Sequence, residues 1–294
     1  MKRRLPLLVD VFSFIAFFVY TVVFAVVILY LIRRAGFPFT VESVFGSADP
    51  VRALLLREPV FDGLFPAISG TFLLVVISVG IAVPVGIGTG VWLSEYAKGA
   101  LYHVMTLFLD ILAGLPSIVI GLFGFSFILL CHRLFPGKGP GFSIIVSGAS
   151  LSVLVLPYLA RSTEAALQSL DNSVKTAALS LGASRMENIR YVLLPKASPS
   201  ILSGILLSIA RCAEDTAVIM LTGAVASAGV PSGVFQRFEA LPFYIFYTSS
   251  QYTCPSELDR AFDASVILIF LSTVLFGVSL VLNKTVSDPA TEGK

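Results

Sequence analysis

Residues 171–203 read DNSVKTAALSLGASRMENIRYVLLPKASPSILS. No longer stretch after residue 67 is too polar for a lipid interior, and this one lies between two apolar runs. Its spacing predicts two short helices joined by a tight turn. Val174, Ala177, Ala178 and Leu181 recur at i, i+3, i+4 and i+7, one face of a helix, with Asp171 as its N-cap. Gly182 stands where a helix ends on a left-handed residue. Ser184 opens the second helix with Glu187 three residues on, a capping box. Ile189, Val192 and Leu193 give that helix an apolar stripe, and Pro195 is expected to limit its length. A polar hairpin this ordered, between membrane spans, implies a docking surface rather than a tether.

The surrounding composition is that of a membrane protein. Of 294 residues, 56% are hydrophobic and 13% charged, where soluble domains average about 25% charged. The apolar runs fall at 11–32, 68–93, 107–131, 141–160, 201–223 and 264–283, each near the ~20 residues a spanning helix needs. The expected architecture is one all-α transmembrane domain, 1–294, with six spans and the hairpin at 171–200. Six spans put both termini on one side, and the Lys2-Arg3-Arg4 cluster makes that side the cytoplasm. Gly86 and Gly90 form a GxxxG in the second span, expected to be a helix-packing face. Glu164, at the end of the fourth, reads as an ordinary helix-end residue.

A net charge of +2 implies no nucleic-acid partner. Cys131, Cys212 and Cys254 are far apart, without metal-ligand spacing. His103 and His132 have no ligand-like neighbours. No phosphate loop, nucleophile elbow or HExxH is present, so the chain is read as a non-enzyme without a cofactor of its own. Energy for uphill transport must come from a gradient or another polypeptide.

The fifth run, ILSGILLSIARCAEDTAVIMLTGA, carries the clearest chemical signal. Arg211 lies ten residues past Ile201, roughly 15 Å along a helix, near the middle of a core about 30 Å thick. Charges at such depth face the bundle interior or a wet cavity, usually with a partner. On a continuous helix, Asp215 and Glu214 both approach Arg211. Two readings stay open: a self-neutralising pair that fixes packing, or a path lined by an arginine whose carboxylate partner exchanges with a passing anion.

The hairpin also carries a resemblance. ABC importer permeases share a cytoplasmic signature of Glu-Ala-Ala, three residues, Gly, nine residues, then Ile-x-Leu-Pro. The literal Glu164-Ala165-Ala166 fails that spacing. Thr176-Ala177-Ala178, Gly182-Ala183 and Val192-Leu193-Leu194-Pro195 fit it, with Thr176 in place of glutamate and Val192 in place of isoleucine. Residues 69–97, 111–125 and 208–217 resemble the second, third and fifth spans of phosphate-type (Pst) permeases, PstA-like rather than PstC-like. This resemblance implies a type I ABC importer permease fold and alternating access. It also implies a coupling role for 171–200 and a translocation path near Arg211, Glu214 and Asp215. The implied partners are a PstC-like second permease, two copies of a PstB-like ATPase that uses the ATP, and an external phosphate-binding protein, all at a bacterial inner membrane. A permease for molybdate, tungstate or sulfate, and a gradient-driven carrier, are the alternatives.

Overall fold

A computed structural model describes residues 4–35, 40–47, 49–51, 63–136 and 139–287. Lys2, Arg3, Gly137 and Lys138 lie outside the described residues. The helices are α1 (Arg4–Arg34), α2 (Val41–Phe45), α3 (Phe65–Glu95), α4 (Gly99–Gly114), α5 (Ser117–Leu134) and α6 (Ile144–Gln168). They continue with α7 (Asn172–Ser180), α8 (Arg185–Asn188), α9 (Leu194–Glu214), α10 (Ala217–Thr222), α11 (Leu241–Gln251) and α12 (Pro255–Ser287). Among the described residues, strand pairing is limited to one isolated bridge, Ala224 to Phe238. Six helical stretches among the described residues are long and apolar enough to cross a membrane: Asp10–Arg34, Phe65–Glu95, Ser117–Leu134, Ile144–Gln168, Arg185–Glu214 and Pro255–Val278.

The bundle is organised by the pairing of α3 with α6. A Cβ on Gly86 would come within 2.5 Å of Leu159 Cβ, and one on Gly90 within 2.5 Å of Thr163 Cβ and 2.6 Å of the Ala160 carbonyl. The GxxxG is therefore a packing face, because only glycine lets the two backbones approach this closely. The main core joins Leu74, Val75 and Ala82 of α3 to Leu151, Leu154, Val155 and Leu159 of α6, and to Cys212 and Ala213 of α9. The outer helix α1 packs against α12, through Tyr30 on Phe262 and Arg34 3.9 Å from Asp259. The three cysteines are free thiols.

Three expectations fail on local backbone geometry. The run at 107–131 is not one helix. Leu115 (ψ 133°) and Pro116 (ψ 139°) are extended and divide it into α4 and α5, because a proline disfavours the helical conformation of the residue before it. Nor is 201–223 one helix: α9 ends at Glu214, Asp215 turns extended (ψ 124°), and α10 starts afresh. Pro195 does not end its helix either. A π-helical turn at Ile189–Leu193, closed by Leu194 N–H donating to the Ile189 carbonyl, carries the chain into α9 with Pro195 in the first turn. The widened turn before it is what accommodates a residue with no N–H and a bulky ring inside a continuing helix.

The long segment after α10 folds back into the bundle. Phe238, Ala240 and Phe243 join the main core. Leu241 N–H donates to Thr71 Oγ1 of α3 (2.9 Å). Glu239 is buried, and its Oε1 accepts the Ala228 and Gly229 amides, both at 2.9 Å. Carbonyls of Thr222, Gln236 and Val234 accept the amides of Ser143, Ile144 and Ile145 at 3.0–3.2 Å, stopping the N-terminus of α6.

Candidate functional site

The hairpin is built by short-range hydrogen bonds. At the end of α7, Gly182 adopts φ +90°. Its amide donates to the Leu179 carbonyl (3.0 Å) and the Ala183 amide to the Ala178 carbonyl (3.1 Å), the Schellman pattern. At the start of α8, Ser184 Oγ accepts the Glu187 amide (3.3 Å) and Glu187 Oε2 accepts the Ser184 amide (2.8 Å), so the expected capping box is formed. The Ser184 hydroxyl and backbone N–H together hold the Glu187 carboxyl below its ordinary value. Asp171 occupies the N-cap position of α7, but its side chain makes no capping bond.

Tertiary contacts fix the hairpin to the bundle. Asn188 Nδ2 donates to the Lys175 carbonyl (2.8 Å), tying α8 to α7. Val174 of α7, Ile189 and Leu193 pack on Leu167 of α6 and Ile201 of α9. Arg185 lies over the Tyr96 ring, 5.0 Å from its centroid, just past α3. The outer face is apolar where a free surface would be polar: Leu179, Leu181, Met186 and Tyr191 are exposed, Leu181 to 90%. The expected α7 stripe is thus split. Val174 and Ala178 turn inward, while Ala177 and Leu181 face out. Thr176, Gly182 and Pro195 are exposed, and Ala183, Val192 and Leu194 half-buried. The Thr176 hydroxyl donates to the Asn172 carbonyl one turn back (2.9 Å), so it is engaged by its own helix.

The Arg211 region departs from the sequence expectation. With α9 ending at Glu214, the acids are not stacked on the arginine. Asp215 is 5% exposed, and its Oδ1 accepts the Val218 amide (2.8 Å). It is the N-terminal cap of α10 rather than a counter-ion. Glu214 is exposed at the helix end. Among the described residues Arg211 makes no ion pair, and it is exposed in the isolated chain. It lines an open recess of about 380 Å³ with Leu207 and Tyr158 of α6. Neither ion-pair reading survives in its original form: the guanidinium is free.

Why α10 needs that cap follows from its packing. A Cβ on Gly121 of α5 would meet the Ala217 carbonyl and Val218 Cα at 3.0 Å, and one on Gly124 would strike Ser150 of α6 and Thr222. Thr222 Oγ1 donates to Ser147 Oγ of α6 (2.8 Å). A six-residue helix held this tightly has buried amides at its start, and each needs an acceptor. Asp215 supplies one.

The sequence reading missed a charged network between α4 and α6. Glu164, taken as an ordinary helix-end residue, is 3% exposed. It accepts from Tyr102 Oη (2.9 Å), Arg161 Nη1 (3.0 Å) and Gln168 Nε2 (3.2 Å). Arg161 Nη2 also reaches Asp110 and the Thr106 carbonyl. Arg161, Glu164 and Gln168 at i, i+3 and i+7, beside the lone acid Asp110 of the third apolar run, were the available signal.

Sequence comparison now bears on what this assembly is. The model of the family described as binding-protein-dependent transport system inner membrane component matches residues 82–293. The chain belongs to this family. Among similar proteins, the probable ABC transporter permease protein YqgI of Bacillus subtilis is 30% identical over 230 residues, 74% of this chain and 76% of that one. The phosphate transport system permease protein PstA of Xylella fastidiosa (strain Temecula1) is 33% identical over 221 residues, 75% of each chain. That of Mycobacterium leprae is 34% identical, covering 74% of this chain and 69% of its own length. Among solved structures, a bacterial alginate ABC transporter in complex with an alginate pentasaccharide-bound periplasmic protein has a similar chain. The TM-score is 0.64 at 13% identity, over 92% of this chain and 96% of the other. A chain of the MetNI methionine ABC transporter, inward facing, gives a TM-score of 0.55 at 20% identity, covering 81% and 99%. The fold is that of ABC importer permeases, and this member of the transport family is a multi-pass inner-membrane permease subunit. The match takes in both the hairpin and the Arg211 break, and leaves α1 outside it.

Proposed function

We propose that this permease serves an ATP-driven importer of inorganic phosphate, as a PstA-like subunit paired with a PstC-like one. Two copies of a PstB-like ATPase bind on the hairpin side. A periplasmic or extracellular phosphate-binding protein delivers the substrate from the other, and both termini of the permease are cytoplasmic. The chain hydrolyses nothing and holds no cofactor of its own, so ATP acts through the partner.

The hairpin is the observation that carries this reading. It has the signature spacing from Thr176 to Pro195, a backbone fixed by two capping motifs, and an apolar outer face including Leu181 at 90% exposure. An exposed apolar face on a rigid mount fits a protein partner, since such patches on soluble-facing surfaces mark interaction sites. Relatives named for phosphate transport direct the substrate assignment, and the free guanidinium of Arg211 in its recess suits an oxyanion. Alternating access follows: closure of the ATPase dimer moves the hairpin, and α9 carries that movement to Arg211.

The test is uptake of labelled phosphate by proteoliposomes holding the permease pair and ATPase, with the binding protein outside and ATP within. Phosphate uptake that excess sulfate, molybdate or tungstate leaves intact is the expected result. Strong inhibition by one of those anions would reassign the substrate. Uptake without the ATPase would refute the ATP-driven mechanism.

A further inference from the structure

α4 is held to the rest of the chain in an unusual way. Of its 16 residues, Leu109 alone is buried. Leu101, Val104, Leu107, Phe108 and Ile111 face outward. Its apolar contact with α6 is a small cluster around Leu109 and Ala160. What binds α4 to α6 is the polar network: Tyr102 Oη on Glu164 at one end, Asp110 and the Thr106 carbonyl on Arg161 at the other. The attachment therefore spans two turns of α4 and clasps it at both ends of Glu164's own turn on α6. Glu164 is the buried centre of this network, with Arg161 and Asp110 partly exposed, and side-chain networks of this kind restrain the elements they join.

The position of the clasp is equally specific. Arg161, Glu164 and Gln168 occupy the last two turns of α6, and four residues after Gln168 the docking hairpin begins at Asn172. At its other end, α4 passes through the extended Leu115–Pro116 elbow into α5. α5 is pressed against α10 by Gly121 and Gly124, and α10 is the helix that Asp215 caps next to Arg211. Two routes thus leave the hairpin for the Arg211 break, one covalent and one through contacts. One is α9 itself. The other runs back along α6, crosses the network to α4, and returns through α5 to α10.

We propose that Arg161 and Glu164 are positioning residues that make α4 move with the hairpin end of α6, so that displacement of the hairpin reaches both sides of the break beside Arg211. This rests on the ATP-driven reading above. Glu164 is the fixed member, nearly buried with three donors around it. Asp110, half-exposed at the side chain, is the member that can be weakened without leaving a buried charge unpaired, because Arg161 keeps Glu164.

The double variant Tyr102→Phe, Asp110→Ala tests this in the assembled complex. It removes both side-chain contacts that α4 makes to the clasp, Tyr102 Oη on Glu164 and Asp110 on Arg161, and leaves the Thr106 carbonyl and the Arg161–Glu164 pair in place. Labelled inorganic phosphate taken up and ATP hydrolysed are measured together, with subunit co-purification as the assembly control. Phosphate moved per ATP is expected to fall roughly 2- to 30-fold, the range over which mutations in a coupling network act, while the complex still forms. Asp110→Glu, which keeps the carboxylate, should retain the wild-type ratio. An unchanged ratio in an assembled double variant overturns the proposal. If the double variant does not assemble, Tyr102→Phe alone decides, a lowered ratio supporting the clasp and a wild-type ratio sinking it. A wild-type complex that takes up no phosphate would instead refute the transport reading and is scored separately.

Discussion

At its hairpin end, α9 is entered through hydrogen bonds between residues three to five apart. At its other end it stops at a break secured by groups as distant as Thr222 and Ser147, 75 residues apart in sequence. The first end is a local construction that carries its own instructions. The second exists only because α5, α6 and α10 are already in place. Changes at the hairpin should therefore stay at the hairpin, whereas changes at the break should divide sharply by whether the residue holds structure or faces the recess.

Arg211 gives the largest expected effect and the cleanest division. It is exposed and unpaired, so Arg211→Ala leaves no buried group stranded and the complex should assemble normally. Loss of a charge-assisted contact of about 1.5–3 kcal/mol predicts phosphate uptake roughly 10- to 100-fold lower. Wild-type uptake would remove Arg211 from the path, and failure to assemble would make it a structural residue after all.

Gly182→Val comes next. Open space surrounds the position, so a side chain meets nothing within 4 Å, and the whole penalty is the φ of +90°. A left-handed conformation costs an L-residue about 1–2 kcal/mol, and a β-branched one resists it most. Co-purification of the ATPase should fall, and Gly182→Asn, which tolerates that region, should recover most of it. Equal recovery of ATPase with valine and glycine would show that the turn is not part of the docking surface.

Asp215 separates the cap from the ion pair. As a cap it should be replaceable by asparagine, which accepts the Val218 amide equally well, whereas Asp215→Ala should cost about 1 kcal/mol of thermal stability. If asparagine proves as damaging to uptake as alanine, the carboxylate's charge matters and the pairing with Arg211 returns.

The smallest effect concerns pH. The Ser184 hydroxyl and backbone N–H hold the Glu187 carboxyl below its ordinary value. A depressed carboxyl contributes above its unfolded value and loses that contribution as pH falls through the folded one. The Ser184 amide resonance should therefore titrate at lower pH than it does in an unfolded reference peptide of the same segment, with no change near neutrality. A midpoint equal to that of the unfolded peptide would mean that the capping box is not formed in solution.

The same contrast explains what could be read in advance. Ser184, Glu187 and Gly182 act on neighbours a few residues away, and their spacing is their mechanism. The six apolar runs were legible for the same reason, since length and hydropathy need no partner. Asp215 was misread because an acid four residues past an arginine looks the same on a continuous helix as at a break, and the break is imposed by α5 and α6. Pro195 was misread because a π turn before it absorbs the proline. Glu164 looked ordinary because Tyr102, which shares its carboxylate with Arg161, lies 62 residues away on α4, and only folding brings it there.

The start of α6 has one more consequence, for how long an anion lingers. Free amides at a helix N-terminus, with the positive end of the peptide dipoles behind them, make a ready seat for phosphate. Here the amides of Ser143, Ile144 and Ile145 are already taken by carbonyls from the folded-back segment, which also turn their negative ends toward the site. On the proposed phosphate path, an oxyanion that reaches this end of α6 meets amides already engaged. Conduction needs every station to release what it holds, and these carbonyls remove one place where a passing anion would dwell.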